Sequence, residues 1–597
     1  MTQRKNLLTL TVFAISSLFF GSCHTSGGPA NGLSTENKVV WYIPQDIERM
    51  NPYLSTDESA NYVQTEIWET LTGSNPRTEE DIPLLASLPE ISPDHLTYTY
   101  TLDPKAHWSD GKPVTTSDII FNFKVVKNPL LLNGAAQRSF FGTLDSVWSP
   151  NGDPSKVAFH WSKFIFNIPH IEGGLKMIPK HIFDPTNITD KITWADLMLD
   201  NPKNPALREF QKWFEDEKIG RDPAYLIGSG PYKYQNWITN DRITLKRDSN
   251  YWAMDKPWFG AYPEQITFKT IKDLNSALTA LKAKDIDIID GISAPQYLDQ
   301  LDTSKLPFLR KDTVYVNLYS YMGWNCAKAP FNDKIVRKAL TMLINRDQII
   351  HSVLRDMTRK VEGPVPPSQP DFDPTVKQPD WNPDAAKKLL ADDGWSMGPD
   401  GVLQKTVGGK LTSFKMTFMI PGGSDVPKQI CLIIANEFKK AGIEADISQL
   451  EWSVYLENLK SHKFDAIIGS WIGNAGVDEE ISQIWESNQA DNRGSNSVSY
   501  KNPVADTLME HIKIEADPVK RHELSHQFQH IVQEDQPYTF MYSSPIRIGW
   551  VDRFDNFELF HSRPPFDPRY WIVRGSGVKP LPTAVPMGVT GDKAAMP

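Results

Sequence analysis

The sequence predicts an α/β protein built from more than one lobe. Three observations carry that prediction. Short apolar strands alternate with amphipathic helices without a fixed repeat, which argues for mixed lobes over a solenoid or propeller. Helix-then-strand units recur, two of them closed by a glycine where the chain needs a left-handed residue. The chain has 597 residues, 40% of them hydrophobic, too many for one small core, so roughly two to four lobes are expected.

Arg4 and Lys5 precede an apolar run over residues 7–20, which ends at Phe20-Gly-Ser-Cys23. That run is short of the ~20 residues a helix needs to cross a bilayer and reads as a signal-peptide core. Small residues directly before Cys23 resemble a bacterial lipobox. The resemblance implies removal of residues 1–22, diacylation of Cys23 and a tethered, membrane-anchored protein. Residues 23–37, rich in Gly, Ser, Thr and Asn, are expected to be a flexible tether.

Val39-Val-Trp-Tyr-Ile43 is a continuous apolar run and fits a buried strand. Trp108-Ser-Asp-Gly-Lys-Pro-Val-Thr-Thr-Ser-Asp118 packs a turn, an extended segment and a helix start together. Ser117 or Asp118 is expected to cap the helix that begins to bury Ile119, Ile120, Phe121 and Phe123. Gly228, Gly230 and Pro231 make a tight loop into a strand. Leu274, Ala277, Leu278 and Leu281 read as a helix, followed by the alternating Asp285-Ile-Asp-Ile-Ile-Asp290, in which Asp285 and Asp287 are expected to face solvent. Asn332-Asp333 is a plausible cap for a helix carrying Val336, Ala339, Leu340 and Leu343. Two further helices stop at Gly394 and Gly442, the second leading into Ile443-Glu-Ala-Asp-Ile447. Residues 573–597, rich in Pro, Gly and Ala, read as an irregular tail.

Composition narrows the function. A net charge of −10 argues against binding a nucleic-acid backbone. Besides Cys23 only Cys326 and Cys431 remain, so neither a disulfide framework nor a multi-cysteine zinc site is available; the two are read as a free pair, with one bridge possible. No GxxxxGK[ST] loop occurs. His522-Glu523-Leu-Ser-His526 matches the H-E-x-x-H zinc-protease pattern and is the one feature pointing to an enzyme. The helical wheel weighs against it: Leu524, Phe528 and Ile531 form one stripe, while His522, His526 and His530 lie nearly opposite, on a face expected to be solvated.

A resemblance runs in order along the chain, through Pro83-Leu-Leu-Ala86, Thr97-Tyr-Thr-Tyr-Thr-Leu102 and Trp108-Ser-Asp-Gly-Lys-Pro-Val-Thr115. It continues with Ile227-Gly-Ser-Gly-Pro-Tyr232, Lys328-Ala-Pro-Phe-Asn-Asp-Lys-Ile-Val-Arg-Lys-Ala-Leu340, Glu451-Trp452, Phe464-Asp465 and Trp471. These segments resemble the family 5 extracellular solute-binding proteins, the oligopeptide- and dipeptide-binding components of bacterial ABC importers. The resemblance implies a two-lobed periplasmic-binding-protein fold (type II, cluster C-like) with an extra subdomain in the first lobe. Lobe I is then expected at 38–57, 222–306 and 542–572, its inserted subdomain at 58–221, lobe II at 307–541 and the tail at 573–597.

In that family a ligand lies extended between the lobes and pairs with main chain, as in strand addition. The matching segment here is Gly469-Ser-Trp-Ile-Gly-Asn-Ala-Gly476. The ligand-binding residues it implies are Trp471, Ile472, Gly473 and Asn474, faced by Leu54, Ser55 and Thr56; Trp471 is a cavity wall or a core residue. The chain departs from the peptide-binding pattern at Asn474, where an Asp normally neutralises the ligand's α-ammonium. Leu459, Ile468 and Pro427 stand where oligopeptide binders place basic groups or a His. The implied function is capture of a peptide, the family's default ligand, by hinge closure and delivery to a membrane permease, with no catalytic residue, metal or cofactor. A monomer is expected, anchored to a membrane and facing the periplasm or the outside. A non-peptide solute such as an oligosaccharide or nickel complex, a zinc hydrolase using His522 and His526, and an adhesin or sensor are the alternatives.

Overall fold

The computed structural model describes residues 33–579, apart from 56, 78–79, 200–201, 257–259, 368, 474–480 and 492–493. Cys23 and residues 580–597 of the expected tail lie outside the described residues.

The run at Val39 forms the strand Lys38–Ile43 inside a seven-stranded sheet. Across this sheet the order is Leu309–Val314, Ile546–Val551, Ile288–Ile289, Lys38–Ile43, Gln265–Thr270, Arg242–Arg247 and Tyr232–Ile238. Lys38–Ile43 runs parallel to Gln265–Thr270, Lys38 opposite Gln265, and Val39, Trp41, Tyr42 and Ile43 are buried, which is why the run reads as continuously apolar. A six-stranded sheet organises the second half, in the order Arg359–Lys360, Tyr538–Ser543, Leu318–Trp324, Ala466–Ile472, Lys415–Pro421 and Glu444–Leu450. Its two faces carry separate cores, one around Trp324, Phe418 and Phe438 and the other around Tyr321, Trp485 and Tyr538.

Consecutive strands fall in different sheets at two places. Leu309–Val314 pairs along its whole length with Ile546–Val551, whereas the next strand, Leu318–Trp324, lies in the other sheet. Likewise Tyr538–Ser543 belongs to the second sheet and Ile546–Val551 to the first. The chain therefore crosses between lobes at 315–317 and 544–545, later than the 306/307 and 541/542 breaks read from sequence, because strand pairing fixes the crossing.

Residues 58–221 include a four-stranded antiparallel sheet ordered Glu90–Ile91, Thr97–Thr101, Lys156–Trp161 and Leu144–Trp148. Trp108, Phe121, Phe159 and Trp161 join Val39, Trp41 and Ile266 in one continuous core, so this part is fused to the first sheet. In the 108–118 turn Gly111 has φ +89°. The cap of the helix Thr116–Lys127 is Thr115, neither Ser117 nor Asp118: the Thr115 side chain accepts from the Asp118 N–H while Asp118 reciprocates on the Thr115 N–H. At this site the earlier residue has the extended backbone a cap requires, and Asp118 completes a capping box.

Gly228 and Gly230 are demanded by close approach, since a Cβ on either would sit 1.9 Å and 2.6 Å from the carbonyl oxygens of Ile67 and Glu66. Asp333 caps the helix Lys334–Met342 as expected. Gly394 and Gly442 close their helices at φ +92° and +84°. Only Ile288–Ile289 of the alternating 285–290 segment is strand, and Asp287 does not face solvent. It is 4% exposed and accepts from the Arg553 guanidinium at 2.6 and 2.8 Å, a partner 266 residues away in sequence. Val573 is paired with Phe554, so the tail starts later than residue 573. Cys326 and Cys431 are free thiols.

Candidate functional site: the cleft between the lobes

A cleft of about 560 Å³ lies between the two lobes. The first lobe contributes Glu58 and Asn61, from the start of the helix Glu58–Ile67, with Phe140, His170 and Arg563. The second lobe contributes Tyr319, the 364–371 loop, Trp471 to Gly473 and Trp485. Asn317, inside a crossing segment, lines the cleft too, and its carbonyl accepts from the Gly473 N–H at 2.7 Å.

Trp471 stands on the strand Ala466–Ile472, which pairs with Leu318–Trp324 from end to end. Its ring lies parallel to Tyr321 at 6.4 Å, Tyr321 stacks on Tyr538 at 3.8 Å, and the Trp471 indole N–H donates to the Tyr538 hydroxyl at 3.2 Å. Trp471 thus serves both readings open to it, half-buried, rooted in the second lobe's aromatic core and lining the cleft. On its other side the strand pairs with Lys415–Pro421 only at Ala466 and Ile467. From Gly469 to Ile472 that edge carries no strand among the described residues. Ile472 and Gly473 line the cleft, and Asn474 lies outside the described residues.

The opposite wall differs from expectation. Leu54 is 8% exposed and belongs to the first lobe's core, the N–H groups of Leu54 and Ser55 both donate to the Asn51 carbonyl, and neither residue lines the cleft. Thr56 lies outside the described residues. The turn folds that segment inward, so the wall begins one helix start later, at Glu58.

Charges gather on the first-lobe wall. Arg563 grips Glu58 with two nitrogens, Nε on Oε1 and Nη2 on Oε2 at 2.8 Å. Burial opposes the guanidinium's charge, but the Glu58 hydrogen bond and surrounding negative groups outweigh it and raise its pKa above the ordinary value. Behind the wall, desolvation pushes the Lys176 ammonium down to about 8, and its Nζ donates to Asn61 Oδ1 at 2.5 Å. Sequence reading missed Glu58, Asn61, Arg563 and Asp371, which sit in no motif that the chain displays; only the fold brings them to the cleft.

The His522-Glu-Leu-Ser-His526 pattern falls on the helix Pro518–Asp535. The buried stripe is Ser525, Phe528, Gln529 and Val532, with Leu524 and Ile531 only partly buried. His530 is exposed and pairs with Asp373 at 3.1 Å, whereas His526 is half-buried, so the histidine face is not uniformly solvated. Packing of the 364–375 loop explains the shift: Asp371 Oδ2 accepts from Ser525 Oγ at 2.5 Å, and Gln529 Nε2 donates to the Asp371 carbonyl at 2.7 Å. The helix buttresses a cleft wall. Among the described residues no group of three or more His, Cys, Asp and Glu side chains is arranged to hold a metal ion. No described helix is long and apolar enough to cross a membrane.

Residues 81–493 match the model of the bacterial extracellular solute-binding proteins, family 5. The oligopeptide-binding protein AppA of Bacillus subtilis is 27% identical, over 96% of this chain and all of that one. The periplasmic oligopeptide-binding protein OppA of Salmonella typhimurium is 24% identical, over 87% of this chain and 90% of its own. The AppA structure, solved with a nonapeptide, superposes with a TM-score of 0.76 at 25% identity, covering 90% of this chain and 98% of AppA. An oligopeptide-binding protein from Thermus thermophilus, complexed with a pentapeptide, gives 0.77 at 22% identity over 92% and 98%. With two sheets joined by two crossings, a cleft between them and a family match over most of its length, this chain belongs to the family 5 bacterial extracellular solute-binding proteins.

Proposed function

We propose that this solute-binding protein captures a peptide in the cleft and presents it to the permease of an ABC importer. The observation that carries the reading is the unpaired edge from Gly469 to Ile472, which borders the cleft beside Trp471. Backbone N–H and C=O groups without a strand partner are the complement of an extended peptide, and they read main chain whatever its side chains. The peptides bound by the Bacillus and Thermus relatives support the same ligand class.

Capture proceeds by hinge bending at 315–317 and 544–545, the two crossings, and the ligand stabilises the closed arrangement only by its differential affinity for it. No step of this function makes or breaks a covalent bond in the ligand, so the protein is read as a binder, not an enzyme. The lobes are assigned as 38–57 with 222–314 and 546–572, the insert 58–221, and 315–545. Cys23 is the proposed lipid anchor, holding a monomer at a membrane with its cleft in the periplasm or outside. Ligand released by denaturing the purified protein and analysed by mass spectrometry tests the reading. Peptides are expected; consistent recovery of a non-peptide solute would overturn it.

A further inference from the structure

Lys176 fixes how Asn61 faces the cleft. An ammonium has donors only, so the Asn61 atom it meets at 2.5 Å is the amide oxygen, and the amide nitrogen with its two N–H groups must point the other way. Among the described residues no protein group accepts from that Nδ2, although Asn61 lines the cleft. Lys176 is itself held: its carbonyl accepts from the Tyr53 hydroxyl at 2.9 Å, and its backbone bridges to Thr70.

One turn before Asn61, Glu58 offers little to a ligand, because each of its oxygens already accepts from Arg563. The same grip leaves Arg563 Nη1 without an acceptor among the described residues. Glu58 and Asn61, three residues apart on one helix, lie side by side, so Asn61 Nδ2 and the guanidinium adjoin on one wall. That wall presents hydrogen-bond donors backed by positive charge, and its carboxylate is already spoken for.

We infer that Asn61 is a specificity-determining residue which, oriented by Lys176 and flanked by Arg563, donates to a carboxylate at one end of the bound solute. The inference rests on the peptide reading and adds which terminus meets the first lobe: the free carboxyl end. It also supplies donors for a carboxylate although Leu459, Ile468 and Pro427 offer none.

The experiment compares one peptide recovered from the protein with its C-terminal amide, by calorimetry on the ligand-stripped full chain. Wild type is expected to bind the free acid about tenfold or more tightly than the amide, since a buried charge-assisted bond is lost. Asn61→Ala is expected to bring the ratio to within about threefold, and Lys176→Met to lower it. That ratio, not overall affinity, separates positioning from a general structural effect. Equal binding of acid and amide by wild type, or an undiminished ratio in Asn61→Ala, overturns the inference and leaves the peptide reading standing. Binding of neither form by wild type with native circular dichroism overturns the peptide reading, and the inference falls with it.

Discussion

Replacing Phe166 by alanine is expected to weaken ligand capture without touching the ligand. Phe166 belongs to the insert of the first lobe, yet its N–H donates to the carbonyl of Lys513 at 3.0 Å, and the Arg521 guanidinium lies 4.2 Å from its ring centroid. Lys513 and Arg521 sit on two helices of the second lobe, Pro503–Ile514 and Pro518–Asp535, and Arg521 is steadied by a 2.9 Å bond to the Glu515 carbonyl. These contacts bridge the lobes and form only when they are close. A half-buried cation–π pair is worth about 1 kcal/mol, and the lost ring contact brings the total to about 1–1.5 kcal/mol. If the empty protein is mostly open, that loss passes in full into the apparent affinity, so Kd is expected to rise about five- to twelvefold. Calorimetry on Phe166→Ala, Arg521→Ala and the double variant measures it, with small-angle scattering of the empty and liganded forms as the check on closure. Because the two side chains share one contact, the double variant is expected to cost little more than either single one. Affinities within twofold of wild type, or fully additive losses, would refute the reasoning.

Two predictions concern stability. Asp287→Ala leaves the Arg553 guanidinium, 7% exposed, without its carboxylate and is expected to cost about 3–5 kcal/mol. Asp392→Ala, which breaks the exposed pair with Lys388, should cost about 0.5 kcal/mol or less, and comparable urea midpoints for the two variants would contradict this. Glu172, fully buried, accepts from the Tyr100 hydroxyl at 2.8 Å and from the Trp161 indole, and burial pushes its pKa up to about 8 despite both bonds. Between pH 4.5 and about 8 the folded state therefore holds a proton that the unfolded chain has released. Its contribution is full below pH 4.5 and is lost as pH rises toward 8, at up to about 1.4 kcal/mol per pH unit. Glu66 and Glu69, also raised to about 8 by burial, act in the same direction. Glu172→Gln is expected to flatten the fall of melting temperature across this range; an unchanged slope would show that the carboxyl does not hold its proton there.

Local chemistry made much of the scaffold readable in advance. The Val39 run, the helix stops at Gly394 and Gly442 and the Asp333 cap each depend on a few neighbouring residues, and each appears in place. Trp471, Ile472 and Gly473 could be placed from sequence because they continue the apolar run that forms the strand Ala466–Ile472 and sit in an ordered resemblance. The cap falls at Thr115, two or three residues before Ser117 and Asp118, since four hydroxyl or carboxylate side chains in a row compete and the backbone selects one. The histidine face was misjudged because a helical wheel does not show the 364–375 loop laid against it.

What the sequence by itself determined is the class of the protein and the identity of its strands and helices, because hydrophobic period, turn residues and caps act over a few positions. Tertiary structure alone decided where the chain crosses between lobes, that Asp287 is buried against Arg553, and that Arg563 reaches Glu58 across 505 residues of sequence. It also decided that Asn61 turns its amide nitrogen toward the cleft, since that depends on a lysine 115 residues further on. Pairing, burial and donor direction are set by partners distant in the chain, and no local pattern records who those partners are.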